Sequence, residues 1–295
     1  MTDNLRVAAA PISWGVCEVP GWGHQLAPER VLGEMAALGV TAAETGPAGY
    51  LPSAPEQLRE MLSSYGLSCV GSFVPVVLHR ADQDPAPEVT EVLDRLETSG
   101  GDVVVLAAAT GVDGYDARPD LSETEWTTLL ANLDRLGELA AARGVTAVLH
   151  PHVGTMVEQH AEVRRVLEDS SIGLCLDTGH LLIGGTDPLE LTQAYTNRIR
   201  HVHLKDVRVD LAEQVQRGDM TYTDAVRSGM YVPLGAGEAR IAQVVATLVD
   251  AGFDGWYVLE QDTILADEAA GDAAAGDVAV SMSFLRTTAQ RAVRV

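Results

Sequence analysis

Short apolar runs alternate with longer stretches of helical periodicity along the whole chain. "RVAAAPIS" (residues 6–13) reads as a strand, and "APERVLGEMAALG" (27–39) follows with apolar residues at helical spacing and a glycine stop. "VTAAET" (40–45) and "APEQLREMLSSYG" (54–66) repeat the unit, as do "LSCVGSFVPVVL" (67–78) with "APEVTEVLDRLETSG" (86–100). "DVVVLAAA" (102–109) precedes "SETEWTTLLANLDRLGELAAARG" (122–144), which opens on a Ser-x-x-Glu capping pattern. "VTAVLHPH" and "IGLCLDTGH" begin the fifth and sixth units, whose helices lie in "MVEQHAEVRRVLEDS" and "DPLELTQAYTN". "IRHVHLKDV" (199–207) is the seventh strand. A polar insertion from Arg208 to Arg240 separates it from the helix "IAQVVATLVDAG". "GWYVLEQD" (255–262) is the eighth strand, "ADEAAGDAAAGD" reads as a solvated loop, and "AVSMSFLRTTAQRAV" reads as the last helix.

Eight strand–helix units at even spacing predict an α/β chain folded as a (β/α)8 TIM barrel, a single domain over residues 1–295. Nearly continuous apolar strands suit a parallel sheet covered by helices. A doubly wound sheet is the alternative, but it favours a Gly-rich phosphate loop after an early strand, and no such motif occurs.

Composition narrows the function. With 46% hydrophobic residues the chain buries a large core. The formal charge of −22 repels phosphate backbones, so nucleic acid is not an expected partner. No apolar run long enough to span a membrane and no signal-like N-terminal segment are present, so no membrane partner is expected and the expected location is cytoplasmic. Cys17, Cys69 and Cys175 match no zinc module; Cys69 and Cys175 sit in apolar runs and read as small buried hydrophobes.

Catalytic groups of such barrels lie at the C-terminal strand ends. Here the second strand ends at Glu44, the fifth at His150 and His152, and the sixth at Asp177 and His180. The seventh ends at His203 and Lys205, and the eighth at Glu260 and Asp262. Strands one, three and four end in milder residues such as Trp14, His79 and Thr110. Each residue alone has an ordinary explanation: a hydrogen-bonded structural histidine, an aspartate capping a turn, a rim salt bridge, a surface lysine. Four consecutive strand ends carrying carboxylates and imidazoles give these groups a shared purpose, and a divalent metal supplies it. Mixed imidazole and carboxylate ligation without thiolate points to Mn2+ or Co2+, with Zn2+ or Fe2+ as options.

"LCLDTGH", "RHVHLKDV" and "GWYVLEQD", in that order on late strands, resemble the xylose-isomerase-like sugar isomerase/epimerase barrels. "APISWGVCEVPGWG" and "AETGPAGYLP" resemble the inosose dehydratase branch. The resemblance spans Ala10 to about Asp262. It implies a metal held by Glu, Asp, His and Glu from strands five to eight. Asp177, His203 and Glu260 match the last three, whereas the fifth strand ends in His150, which takes the place of the first ligand. His180 then matches a substrate-contacting histidine. His152, one step beyond His150, is assigned to substrate binding or proton transfer. Lys205 faces the pocket, and Glu44 is a candidate acid or base.

The apparatus suits a hydroxyketone: polarising the carbonyl acidifies the adjacent C–H, and proton loss gives an enediolate. Loss of a β-hydroxyl then completes a dehydration, and the branch resemblance favours 2-keto-myo-inositol or a similar cyclitol as substrate. Reprotonation elsewhere gives the alternative, a ketose isomerase or epimerase. A non-catalytic sugar-binding subunit is a third reading. The amidohydrolase reading fits poorly, since its His-x-His belongs on the first strand; a DNA nuclease conflicts with the charge. Trp14, Trp22 and Tyr50 are candidates for an apolar wall under a sugar ring. The Arg208–Arg240 insertion has the length of a lid or of a contact in a homo-oligomer.

Overall fold

Runs of buried, β-branched residues pair side by side to form the centre of the molecule. The structure is a computed structural model describing residues 5–112 and 114–292. Its strands are β1 (Arg6–Ala9), β2 (Ala42–Ala43), β3 (Ser68–Cys69), β4 (Gly71–Val76), β5 (Val103–Ala108), β6 (Thr146–Leu149), β7 (Gly173–Asp177) and β8 (Ile199–Leu204). A small pair, β9 (Asp206–Val207) and β10 (Tyr231–Val232), precedes β11 (Trp256–Leu259). All pairings in the main sheet are parallel, in the order β3-β2-β1-β11-β8-β7-β6-β5-β4. The two ends of that order, β3 and β4, are consecutive in the chain. Val70 between them donates to Ala43 O at 2.9 Å and accepts from Asp102 N at 2.9 Å, so the ring comes round on itself there. The expected third strand is therefore one strand interrupted at Val70, and the expected (β/α)8 barrel is the architecture found.

The helices are α1 (Pro28–Ala37), α2 (Pro55–Ser64), α3 (Ala86–Ser99), α4 (Glu123–Ala141), α5 (His160–Asp169), α6 (Thr178–Ile183) and α7 (Pro188–Tyr195). They continue with α8 (Val209–Gln216), α9 (Tyr222–Arg227), α10 (Ile241–Asp250) and α11 (Gly271–Ala292). Proline in the first turn starts α1, α2, α3 and α7, where a missing N–H costs nothing. Ser122 and Glu125 form the capping box expected for α4. Each helix lays an apolar stripe on the barrel, such as Val31, Leu32 and Met35 of α1. Inside the ring the fill is separate and small: Ala8, Ala10, Ala42, Val70 and Val258 on one side, Val103, Val105, Val148 and Cys175 on the other.

Three local expectations change. "RVAAAPIS" pairs only as far as Ala9, because Pro11 starts a 3-10 turn through Trp14. Asp177 caps a short helix, α6, immediately after β7. The acidic, alanine-rich stretch is a loop only in its first half; α11 begins at Gly271, where the alanine run favours helix and Ala274 is buried.

The insertion after β8 folds over the barrel mouth as α8 and α9 between the antiparallel pair β9 and β10. Asp206 organises its return: its carboxylate accepts from the backbone N–H of Gly235 at 2.8 Å, Gly237 at 3.1 Å and Ala239 at 3.0 Å. A Cβ at Gly237 would lie 2.5 Å from Val207 O, so this close turn requires glycine.

Two glycines test the packing in opposite directions. A Cβ at Gly71 would lie 2.2 Å from the Val103 carbonyl oxygen, so Gly71→Ala should lower the unfolding free energy by about 1–3 kcal/mol. Gly276 lies within α11 with nothing within 4 Å of an added Cβ, so Gly276→Ala should raise it by about 0.5–1 kcal/mol. Urea denaturation of both variants checks the signs.

Candidate active site

Side chains two apart on a strand face the same way, and β8 carries this rule through the barrel. His201, His203 and Lys205 all turn inward, where they meet carboxylates from other strand ends. Asp177 lies beside His203 in the sheet register. Its Oδ1 accepts from the N–H groups of Gly179 at 2.9 Å and His180 at 2.7 Å, capping α6. Its Oδ2 faces the cluster, 3.2 Å from His150 Nε2, 3.7 Å from His203 Nδ1 and 3.9 Å from Lys205 Nζ. One oxygen of Asp177 thus caps the turn while the other faces the cluster.

Glu260 follows β11 and brings Oε2 within 3.0 Å of His203 Nδ1 and 2.9 Å of Lys205 Nζ. Lys205 also pairs with Asp262. Asp262 accepts in turn from the Tyr222 hydroxyl, which lies 3.0 Å from that of Tyr231. Across the barrel, Glu44 Oε1 accepts from His201 Nε2 at 2.7 Å and His203 Nε2 at 3.0 Å.

The histidines of "HPH" both reach the cleft, their ring centroids 5.3 Å apart and their planes perpendicular. The Nδ1–H of His152 donates to Val153 O at 2.7 Å, which leaves the lone pair on Nε2. His180 stacks on His152 with centroids 3.8 Å apart and lies one layer behind the cleft wall. Its Nδ1 accepts from Val153 N–H at 3.4 Å.

A cleft opens at the barrel mouth above these groups. Glu44, His150, His152, Lys205, Glu260 and Asp262 contribute polar surface, and Trp22, Phe73 and Tyr115 contribute aromatic walls. Of the three expected wall aromatics only Trp22 lies there. Trp14 is buried beneath α1, donating to Glu34 at 2.7 Å, and Tyr50 also lies outside the cleft lining. Tyr115 bonds Glu18 over the opening, joining the loops after β5 and β1.

Burial and pairing pull the titrating groups apart. Burial disfavours the charged forms of Glu44, Asp177 and Glu260, but neighbouring histidines, and Lys205 for the last two, outweigh it; Glu260 is held at about 2. Burial also opposes charge on Lys205 and His203, yet the surrounding carboxylates hold both well above their usual ranges. Burial wins at Asp262, which is raised, and at His150 and His152, which are lowered to about 4.

The residues fit a divalent ion. Asp177, His203 and Glu260 each offer a ligand atom within 4.8 Å of the others, as do His150, Asp177 and His180. His150 Nδ1 and His203 Nδ1 are buried without a hydrogen bond among the described residues. His203 Nδ1 sits near Glu260 without hydrogen-bond alignment, an arrangement a shared cation would complete.

His201 was legible but unassigned: "HVH" puts it on the same strand face as His203. Tyr222, Tyr231, Tyr115 and Glu18 come from loops and the insertion, where no periodicity predicts what a side chain meets.

The chain shares 33% identity over 281 residues with the inosose dehydratase of Geobacillus thermodenitrificans (strain NG80-2), covering 90% of this chain and 93% of that one. The inosose dehydratase of Klebsiella pneumoniae (strain 342) is 32% identical over 280 residues, covering 90% and 93%. A crystal structure of IOLI protein with a bound zinc atom superposes with a TM-score of 0.67 at 16% identity, covering 96% of each chain. The family model described as xylose isomerase-like TIM barrel matches residues 32–287, and the chain belongs to that family.

Proposed function

We propose that this chain is a carbon–oxygen lyase that dehydrates a neutral keto-polyol of the inosose class with the help of a divalent ion. The convergence of Asp177, His203 and Glu260 at the barrel mouth, with His150 on Asp177, carries this reading. Relatives named inosose dehydratase along nearly the whole chain support the reaction, and the zinc atom in the IOLI structure supports the ion. His150, Asp177, His203 and Glu260 would hold it. A mixed imidazole–carboxylate set accepts Mn2+, Co2+, Zn2+ or Fe2+.

The bound ion supplies Lewis acidity to the substrate ketone. The chain's own residues do the rest. His152 points a lone pair into the cleft from Nε2, because Nδ1–H is spent on Val153 O. It takes the proton from the carbon next to the ketone, giving an enediolate. The same imidazolium returns that proton to the β-hydroxyl, whose C–O bond breaks as water leaves, so no proton is gained or lost overall. Lys205 lies in the cleft wall as a positive charge fixed by Asp262 and Glu260, and it stabilises the enediolate oxygens. Glu18 and Tyr115 close over the reacting centre and limit water. The aromatic walls, Trp22 and Phe73, suit the C–H faces of a ring.

The reading is tested by incubating metal-loaded protein with 2-keto-myo-inositol and following the ultraviolet absorbance of the enolised dione. Absorbance growth with release of water is expected. Exchange of the C–H with solvent deuterium, without water loss, would assign an epimerase; protein that retains no divalent ion would assign a non-catalytic binder. Asp177→Asn and His203→Ala should each abolish both metal retention, measured by elemental analysis, and turnover.

His152→Gln separates proton transfer from metal binding. It should lower kcat by about 100-fold or more while leaving metal content unchanged. A kcat near the parent value would remove His152 from the proton path.

A further inference from the structure

Glu44 and His201 form a polar group where a barrel of this type ordinarily packs branched aliphatic side chains. Both are at most 2% exposed, and Glu44 reaches across the barrel interior, past β1 and β11, to β8. A buried carboxylate is costly unless it is well paired, so its geometry has a reason. One oxygen, Oε1, accepts from two imidazoles, His201 and His203. A carboxylate that accepts twice needs hydrogen on both Nε2 atoms. His203 is thereby tied at Nε2, and its remaining nitrogen, Nδ1, is the one turned toward Glu260 and Asp177. His201 holds the shared oxygen from the deeper side, where its own Nδ1 meets no partner among the described residues.

We propose that Glu44 and His201 are positioning residues: as a pair they lock the His203 ring so that only Nδ1 is presented to the divalent ion. The inference rests on the metal reading above and extends it inward by one layer. It takes Glu44 out of the proton-transfer role expected from its strand-end position. A carboxylate behind a ligating imidazole fixes the tautomer and the ring orientation, and its loss weakens metal binding by about 10–100-fold.

The test uses the full chain and Zn2+ as the probe. Chelator competition should show one tightly bound ion per chain in the parent protein. Glu44→Gln should weaken that affinity by about 10–100-fold, and His201→Phe, of similar shape but without a donor, should weaken it by a smaller factor. Circular dichroism establishes that each variant is folded. Nitrogen-15 imidazole spectra of the Zn2+-loaded parent, which need no variant, should show His203 coordinated through Nδ1 and protonated at Nε2. Coordination through Nε2 overturns the inference. So does parent-like affinity in folded Glu44→Gln, or a second Zn2+ held by Glu44 and His201. Parent protein that binds no Zn2+ overturns the metal reading itself, whereas parent binding with unaffected variants overturns only the positioning role.

Discussion

Compensation of buried charge at the barrel mouth is the constraint on which the rest of this structure depends. Glu44, Asp177, Glu260 and Asp262 are brought together almost without solvent, and an isolated carboxylate in such a place costs several kcal/mol. Each is answered by a cation or an imidazole. Lys205 touches three of them, and His203 lies between Glu44 on one nitrogen and Glu260 with Asp177 on the other. The shared field favours the charged forms of Lys205 and His203 in spite of burial and the ionised forms of three of the carboxylates; at His203 Nδ1 a bound cation would take the place of the proton. A cluster so coupled works as one unit, in which the contribution of a single residue has meaning only with its partners in place.

Parallel closure is what makes the cluster possible. Every strand delivers its C-terminal end to the same mouth, and the two-residue side-chain period carries His201, His203 and Lys205 to successive depths on one face of β8. The alanines at 8, 10 and 42 leave interior volume that larger side chains on those strands would fill. Above the cluster, the insertion is anchored rather than loose. Tyr222 bonds Asp262 through its hydroxyl, while its backbone N–H donates to Asp116 in the loop after β5. The roof over the cleft and the floor beneath it are therefore joined through hydrogen bonds to Asp262 and ion pairs of Lys205.

Much of this was legible in the sequence. The barrel followed from eight apolar runs and their helices, and the polar strand ends pointed to the mouth where the titrating side chains converge. The structure brings Glu44, His150, His152, Lys205 and Glu260 to the cleft, and places Asp177 and His203 against them. What escaped had physical reasons. Pro11 broke an apolar run that composition alone extends, and the interruption at Val70 depends on pairing with two different neighbours. Trp14 looked like a cleft aromatic from its position, but α1 offered Glu34 as a partner on the other side. Tyr222 and Tyr231 lie in a polar insertion whose path over the mouth is set by tertiary contacts such as those of Asp206.

In the proposed metal site, the histidine at the end of the fifth strand would set the chemical character. The family resemblance expects a carboxylate there; His150 supplies a neutral donor instead, since burial keeps its imidazole uncharged in spite of the bond to Asp177. A carboxylate at this position would add a further acidic group to a mouth that already holds Glu44, Asp177, Glu260 and Asp262. With His150, an ion held by two imidazoles and two carboxylates keeps more of its positive charge for the substrate oxygen than one held by three carboxylates. It also removes the strand-five carboxylate that would otherwise be available as a base. In the proposed mechanism, proton transfer would then fall to the neighbouring imidazole, His152, whose Nδ1–H bond to Val153 O leaves the lone pair on Nε2. On the proposed function, the two histidines of "HPH" would divide the work of one strand end, the first toward the ion and the second toward the substrate.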